Sequence, residues 1–298
     1  MSESVLGAFV AAVLIGGTNF VAIRYSNREL DPLWGAGLRF ALAAVVFGLL
    51  CAALRLSLPR GRALGLVLAY GLLAFGAAYG CLYWAMQEVP AGIAAVVMAV
   101  GPLLVLLLAV AHRLERFGVR ALAGALIALA GSALIFVQPS SESIGWASFA
   151  VLGLAALAAS ESVVVSKLAG QQHPVVMNFV GMTAGAAVLL VVSALAGESL
   201  VLPEEAKTQV AVVYLVAATV GLFVAVLYVV QRWTASSASY IFVSMPVVAV
   251  ALGALVADER ITATVVLGGA IVCAGVYLGA LARSETARVG AARAVERG

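Results

Sequence analysis

Two charged residues lie inside long apolar stretches of this chain and could do chemistry there. They are Arg39, which precedes Phe40, and Glu161, which follows Ser160. An acid near the centre of a membrane helix costs about 2.5 to 3.5 kcal/mol on insertion scales, so its retention asks for a reason. Glu161 is predicted to carry a proton or to balance a ligand ammonium group. The alternative is a protonated or hydrogen-bonded packing residue.

Arg39 is predicted to clamp a ligand carboxylate, because its planar guanidinium can donate two parallel hydrogen bonds. Two other roles stay open for this residue. Its side chain could snorkel to the lipid headgroups, or it could bond to Asn19 at a similar depth.

Tyrosine and glutamine residues recur at helical spacing in two stretches. Tyr79, Tyr83 and Gln87 are four residues apart and so share one helix face, and Tyr228 with Gln231 occupies the related part of a later stretch. This stripe is predicted to line a cavity, although tyrosine is also common in the interfacial belt of a membrane protein. The full set of predicted cavity residues is Asn19, Arg39, Tyr79, Tyr83, Gln87, Met98, Glu161, Tyr228, Ser244 and Met245.

Two prolines fall in the middle of apolar stretches. Pro102 and Pro246 each remove a backbone hydrogen bond and favour a kink, so they are predicted to act as gate or hinge positions. The alternative is that they shape static packing. The GxxxG spacing of Gly275 and Gly279 predicts close helix packing or a dimer contact.

Patterns for catalysis or metal binding are missing from the sequence. His112 and His173 lie near predicted loops, and no HExxH or CxxC motif occurs. The chain is therefore predicted not to be an enzyme, and to have no cofactor and no metal site.

The composition places these residues in a membrane. Of 298 residues, 64% are hydrophobic and 10% are charged, and the mean hydropathy is +1.13. A soluble domain would have too little polar surface at this composition. Because about 20 apolar residues cross a bilayer, the chain is predicted to be an all-α membrane protein with ten transmembrane helices. The predicted spans are 5–23, 33–54, 62–86, 91–111, 119–138, 146–168, 174–196, 209–230, 237–257 and 263–282.

The second half of the chain repeats the first at an offset of 144 positions. Four residues carry this register: Pro102, Glu115, Gly124 and Gly131 recur as Pro246, Glu259, Gly268 and Gly275. Each copy holds five predicted spans, an odd number, so the copies enter the bilayer in opposite orientations as inverted repeats. The predicted units are 1–140, 141–282 and a basic tail at 283–298.

The distribution of cations predicts that both termini are cytoplasmic. With that orientation, the inner face receives twelve cations: Arg55, Arg60, Arg62, Arg113, Arg116, Arg120, Lys167, Arg232, Arg283, Arg288, Arg293 and Arg297. The outer face receives four: Arg24, Arg28, Lys207 and Arg260. The tail is interpreted as an anchor on anionic lipid rather than a nucleic-acid patch. Arg39 then lies nearer the outer surface and Glu161 nearer the inner one, so the two are not expected to pair.

The repeated motifs resemble the EamA unit of the drug/metabolite transporter superfamily. The residues that carry the resemblance are Tyr83, Pro90, Ala91, Gly92, Pro102, Glu115, Gly124 and Gly131 in the first copy, and Asp258, Glu259, Arg260, Ile261, Thr262, Gly268 and Gly275 in the second. The resemblance implies a ten-helix exporter of small metabolites or drugs with a central cavity; some relatives, such as the YddG-like exporters, handle aromatic amino acids. The repeated acids Glu115 and Glu259 are expected to cap the start of the next helix.

These observations predict an inner-membrane secondary transporter in a bacterium. It would export small non-phosphorylated metabolites, such as amino acids or cationic drug-like compounds, by alternating access. Phosphate recognition would need deep cations in the last two spans, and these have none. A nucleotide-sugar or sugar-phosphate carrier of the same superfamily and an uncoupled channel are the alternatives. The predicted partners are the small-molecule substrate, the bilayer and, through Glu161, protons; the chain could be a monomer or a homodimer.

Overall fold

The computed structural model describes residues 3–85, 87–89, 91–136, 145–245, 247–248 and 263–281, and no strand occurs among them. The helices are α1 Glu3–Ser26, α2 Pro32–Ala53, α3 Gly61–Ala85, α4 in two pieces (Ala91–Met98 and Gly101–Ala111), α5 Val119–Phe136, α6 Trp146–Leu168, α7 Pro174–Ala196, α8 Ala206–Arg232, α9 beginning with Ala235–Ala238 and helical again over 240–245 and 247–248, and α10 Ala263–Val276. Two π-helical segments occur, Leu72–Ala78 inside α3 and Tyr277–Leu281 after α10.

Length and apolar composition allow five of the described helices to cross a membrane by themselves: α2, α3, α6, α7 and α8. Shorter apolar stretches lie in α1, α4, α5 and α10. The chain is an all-α membrane protein with two inverted repeats of five helices. The predicted fold class, an all-α membrane protein built of two repeats, is confirmed.

Local sequence explains where several of these helices begin and end. Pro32 and Pro174 open α2 and α7, where the missing N–H of proline costs nothing. His173 caps α7 by accepting a hydrogen bond from the N–H of Val175 at 3.3 Å. Gly197 ends α7 with φ of 75°, a left-handed conformation that glycine adopts without steric cost.

The helix contacts reflect the symmetry between the two repeats. Helix α2 packs against its counterpart α7, and α5 packs against its counterpart α10. Helix α1 packs on α8, and the equivalent pair, α6 and α3, is also in contact. An inverted repeat predicts this pattern, because a pseudo-two-fold axis maps each contact onto another contact.

Glycines bring α5 and α10 into backbone contact. A Cβ atom on Gly275 would lie 2.7 Å from the carbonyl oxygen of Gly124, and a Cβ on Gly131 would lie 2.7 Å from that of Gly268. The two pairs are equivalent in the repeat, because Gly124 corresponds to Gly268 and Gly131 corresponds to Gly275 at the 144-residue offset. Gly275 therefore packs inside the chain, and its GxxxG spacing serves this internal contact.

A second close approach joins α3 and α7. Gly181 of α7 faces Gly71 of α3, and a Cβ on Gly181 would meet the Cα of Gly71 at 3.3 Å. The π-helical segment Leu72–Ala78 begins at this crossing. Isolated π segments are often found at functional sites.

Acidic side chains cap helices of the opposite half. Glu198, after α7, accepts hydrogen bonds from the N–H groups of Leu33 at 3.1 Å and Trp34 at 2.7 Å, at the start of α2. Glu115, after α4, accepts from the N–H of Ser236 at 3.0 Å, at the start of α9. The cap that Glu115 forms is thus on the other half, whereas the sequence predicted a cap on α5. Glu259 lies outside the described residues.

Lys167 binds the carbonyl oxygens at the end of α8. The Nζ of Lys167, in α6, donates to the carbonyl oxygens of Val230 at 2.7 Å, Gln231 at 3.2 Å and Trp233 at 2.7 Å. These carbonyls have no partner inside the helix, so a cation is favourable there. The turn between α8 and α9 is held on one side by Lys167 and on the other by Glu115.

Candidate functional site

Arg39 is almost completely buried, with 2% of its surface exposed. Its Nε donates a hydrogen bond to Oγ1 of Thr219 in α8 at 2.6 Å. Its Nη1 is buried and has no hydrogen-bond partner among the described residues. The one ion pair recorded in that part of the chain joins His112 and Glu161, so no carboxylate there neutralises Arg39. A buried cation held by neutral hydroxyl groups, those of Thr219 and Tyr83, keeps most of its desolvation cost and attracts an anion.

Neither alternative role proposed for Arg39 is observed. Burial of the side chain excludes snorkelling to the headgroups. The Oδ1 of Asn19 accepts no hydrogen bond among the described residues, so it does not bind the guanidinium. Asn19 is itself buried, with 5% of its surface exposed. An unpaired donor on α2 and an unpaired acceptor on α1 are therefore both available inside the bundle.

Aromatic rings surround Arg39. The Phe40 ring centre lies 5.3 Å from the Arg39 Cζ and 4.8 Å from the centre of the Tyr79 ring. Tyr79 stands 6.2 Å from Tyr83, and both phenols are close enough to interact electrostatically with the Arg39 charge. The structure therefore brings three of the predicted cavity residues, Arg39, Tyr79 and Tyr83, together in one place.

The same aromatic group extends into the core of the bundle. Phe75, in the π-helical segment, lies 5.0 Å from Phe40 and 4.8 Å from Phe223 of α8, measured between ring centres. The rings of α2, α3 and α8 form a wall that fixes the helices around Arg39. Edge-to-face ring pairs of this kind add stabilisation beyond their buried area.

Gln87 does not continue the tyrosine stripe. Helix α3 ends at Ala85, and Gln87 is exposed in the turn that follows. Spacing of four residues places side chains on one face only while the helix lasts, so Gln87 does not share the helix face of Tyr79 and Tyr83, and its place in a cavity stays a prediction.

Tyr228 and Gln231 lie away from Tyr79 and Tyr83. The Tyr228 hydroxyl donates to Oγ of Ser4 in α1 at 3.4 Å, and its ring borders an open apolar groove of about 610 Å³ between α1 and α8. The guanidinium of Arg232 lies 3.5 Å from the centre of this ring. Gln231 donates to the backbone oxygen of Gln172. These two residues join α8 to neighbouring segments rather than extending the tyrosine stripe.

Glu161 forms an ion pair that the sequence did not predict. Its Oε1 lies 2.8 Å from Nε2 of His112, which caps the carboxyl end of α4. The side chains are 23% and 39% exposed respectively, and Oε2 of Glu161 has no partner among the described residues. Because Glu161 pairs with His112 and Arg39 bonds Thr219, the two charges do not pair with each other.

The break in α4 lies next to the ion pair in the fold. Helix α4 is interrupted at Ala99 and Val100, and Pro102 occupies the first turn of its second piece. Oγ of Ser160, beside Glu161, lies 3.5 Å from the carbonyl oxygen of Gly101. Pro102 therefore follows a two-residue interruption of α4, and its role as a hinge stays a prediction, while Pro246 lies outside the described residues.

The other predicted cavity residues are packing elements in the structure. Met245 is buried against Gly16 of α1, and Oγ of Ser244 donates within its own helix to the oxygen of Tyr240 at 2.8 Å. Met98 is half-buried in a small cluster with Leu152 of α6. No group of three potential metal ligands occurs in the described residues.

Comparison with known proteins identifies what this arrangement is similar to. The model of the EamA-like transporter family matches residues 4–137 and again residues 145–280. The inner membrane transporter YedA of Escherichia coli (strain K12) is 32% identical over 268 residues, which cover 86% of this chain and 84% of that protein. One crystal structure superimposes with a TM-score of 0.82 at 19% identity, covering 96% of this chain and 99% of its own, which shows a shared fold.

Two further relatives carry names that specify a cargo. A probable amino-acid metabolite efflux pump of Escherichia coli (strain K12) is 29% identical over 286 residues, covering 89% of this chain and 91% of its own length. A probable terminal-alkyne amino-acid exporter of Streptantibioticus cattleyicolor is 27% identical over 275 residues, covering 91% of each. The family model matches nearly the whole chain in two copies, and the helix contacts are related by the symmetry between those copies. This chain belongs to the EamA-like transporter family and is a membrane transporter, not an enzyme.

Proposed function

We propose that this transporter exports amino acids or closely related compounds that carry a free carboxylate and no phosphate group. Both termini face the cytoplasm in this proposal, as the distribution of cations predicts. The names of the two amino-acid exporters support the substrate class.

One observation carries the proposal. Arg39 is a buried cation whose Nη1 lacks a partner and which no acid neutralises in the described part of the chain. Retaining such a charge in the membrane interior costs several kilocalories per mole, and a substrate carboxylate would recover part of that cost through charge-assisted hydrogen bonds. The unpaired carbonyl oxygen of Asn19 offers an acceptor for a substrate ammonium group.

The distribution of charge argues against a phosphorylated substrate. A phosphate group normally needs several cations around it, and the described parts of α9 and α10 contain no lysine or arginine. One guanidinium with aromatic neighbours matches a single carboxylate on a partly apolar molecule.

Transport would proceed by rocking of the two halves around this site, with the break in α4 as one hinge. The ion pair of Glu161 and His112 joins α4 to α6 near that break. In this proposal the pair takes up a proton when it opens, and so couples proton movement to the exchange of conformations.

Reconstituted vesicles test the substrate class. Wild-type protein should give saturable uptake and counterflow of L-phenylalanine, and Arg39→Met should give the highest KM of the variants in both assays. Arg39→Lys keeps the charge but loses the planar fork, so it should transport with a strongly raised KM. Preferred transport of a sugar phosphate, or flux that neither saturates nor shows counterflow, would contradict the proposal.

The coupling role has its own test. Glu161→Gln should retain counterflow of L-phenylalanine at equal pH on both sides but lose the response to an imposed pH gradient. His112→Asn, which removes the imidazole that contacts Glu161, should weaken that response. An unchanged pH response in Glu161→Gln would remove Glu161 from the coupling mechanism.

A further inference from the structure

The contact between Thr219 and Arg39 fixes the direction from which the guanidinium can be approached. Thr219 is fully buried in α8, with 0% of its surface exposed, and its Oγ1 accepts the Nε hydrogen of Arg39 at 2.6 Å. An arginine side chain can receive a carboxylate side-on, through Nε and one terminal nitrogen, or end-on, through the two terminal nitrogens. With Nε already bonded, the side-on approach is closed.

One terminal nitrogen, Nη1, keeps the capacity that Nε has lost. Nη1 is buried and unpartnered among the described residues. The Phe40 ring lies 5.3 Å from Cζ and restricts rotation of the guanidinium plane. The hydrogen bond to Thr219, the hydrogen bond with Tyr83 and the Phe40 ring together define the position of the guanidinium.

The two halves differ at this point. The repeat places a glycine, Gly181, at about the position that matches Arg39, and Gly181 packs against Gly71 with no space between the helices. The α3–α7 contact is closed by two glycines, whereas the equivalent α8–α2 contact holds a threonine and an arginine. Of the two equivalent contacts, the hydroxyl of Thr219 thus lies at the one that has the charge.

We infer that Thr219 is a positioning residue that sets specificity: it holds Arg39 so that a substrate carboxylate binds end-on at Nη1. This inference rests on the proposed function, because it assumes that Arg39 receives the carboxylate. Thr219 does not touch the substrate. Its effect is to select molecules whose carboxylate can reach the guanidinium from the Nη1 side.

The test compares a free acid with its carboxamide in vesicles that contain the full-length protein. The probes are L-phenylalanine and L-phenylalaninamide, and the readout is the KM of each for counterflow. Thr219→Val keeps the shape of the side chain and removes the acceptor, so it should raise the KM of the acid about 10-fold or more. The KM of the amide should stay within about 3-fold, since a neutral amide gains little from an oriented guanidinium. Thr219→Ser keeps the hydroxyl and should behave as the wild type.

Each outcome separates this inference from the proposed function. If Arg39→Met leaves the preference for the acid unchanged, the proposed function fails. If Arg39→Met removes the preference but Thr219→Val retains it, the proposed function stands and the positioning role is overturned. Equal losses for acid and amide in Thr219→Val would show a structural role only and would also overturn it. Should the valine variant not fold, Thr219→Cys, a weak acceptor, must give a KM for the acid between those of the serine variant and Arg39→Met.

Discussion

An alanine at Gly275 should force α5 and α10 apart. Its Cβ would lie 2.5 Å from the backbone nitrogen of Ala128 and 2.7 Å from the carbonyl oxygen of Gly124. Both neighbours are backbone atoms, so no side chain can rotate away and the helices themselves must separate. Overpacking typically costs about 1 to 3 kcal/mol, and two backbone clashes place this site at the upper end. Alanine returns about 1 kcal/mol of helix propensity, so a net loss of about 2 kcal/mol is expected.

The pseudo-two-fold axis supplies a second variant, and an uncrowded glycine supplies the control. Gly131→Ala should lose a similar amount, because its Cβ would meet the oxygen of Gly268 and the nitrogen of Val272 at 2.7 Å each. A Cβ on Gly153, in α6, would meet no described atom within 4 Å beyond the backbone of its own helix. Gly153→Ala should therefore gain about 1 kcal/mol from propensity alone.

The measurement is the free energy of unfolding of the purified protein in detergent, compared among the three variants under one condition. The expected difference between Gly275→Ala and Gly153→Ala is about 3 kcal/mol. A stabilised Gly275→Ala would refute the close approach of α5 and α10. A large loss of unfolding free energy in Gly275→Ala with none in Gly131→Ala would refute the symmetry that relates the two glycine pairs.

Two further predictions concern the ends of the helices. Lys167→Met, which removes three hydrogen bonds to the end of α8, should lower the free energy of unfolding by about 2 to 4 kcal/mol, whereas Lys167→Arg should lose less; detergent unfolding measures both. The N–H of Glu204 donates to Glu29 and holds the pKa of that carboxyl below its ordinary value. The stabilisation of the fold by ionised Glu29 is therefore fully present above the unfolded-state pKa. It is lost as the pH falls through the lower, folded-state pKa. Glu29→Gln should flatten the acid side of a plot of Tm against pH between about pH 5 and pH 3. The control Glu205→Gln removes a neighbouring charge but no N–H donor, so it should leave this slope intact. Equal slopes in the wild type and both variants would contradict the role of Glu29.

The fold could be predicted from the sequence because duplication leaves a countable register. Gly124 and Gly131 recur 144 positions later, and the packing pairs each with the counterpart of the other. The break in α4 had a partial signal, since Gly101 and Pro102 form a dipeptide that often interrupts a helix. The π-helical segment of α3 had none, because the extra residue in its turn depends on how α3 passes α7.

The site could be predicted only as a set of candidate residues. Arg39 and the tyrosines were found because a charge or phenol within an apolar stretch is rare. Thr219 was missed, since a lone threonine among small apolar residues looks like packing until the fold brings it to the guanidinium. His112 was missed for a different reason: it was assigned to a loop, whereas it ends a helix within reach of Glu161.

The caps that cross between the halves also bear on how the protein is made. The first two N–H groups of α2 beyond its proline wait for Glu198, which the ribosome adds about 165 residues later. Until then the leading half sits in the bilayer with exposed helix starts that only water, headgroups or the insertion machinery can satisfy. A nascent chain that stops between the repeats therefore leaves the N–H groups of Leu33 and Trp34 without the carboxylate that accepts them in the finished transporter.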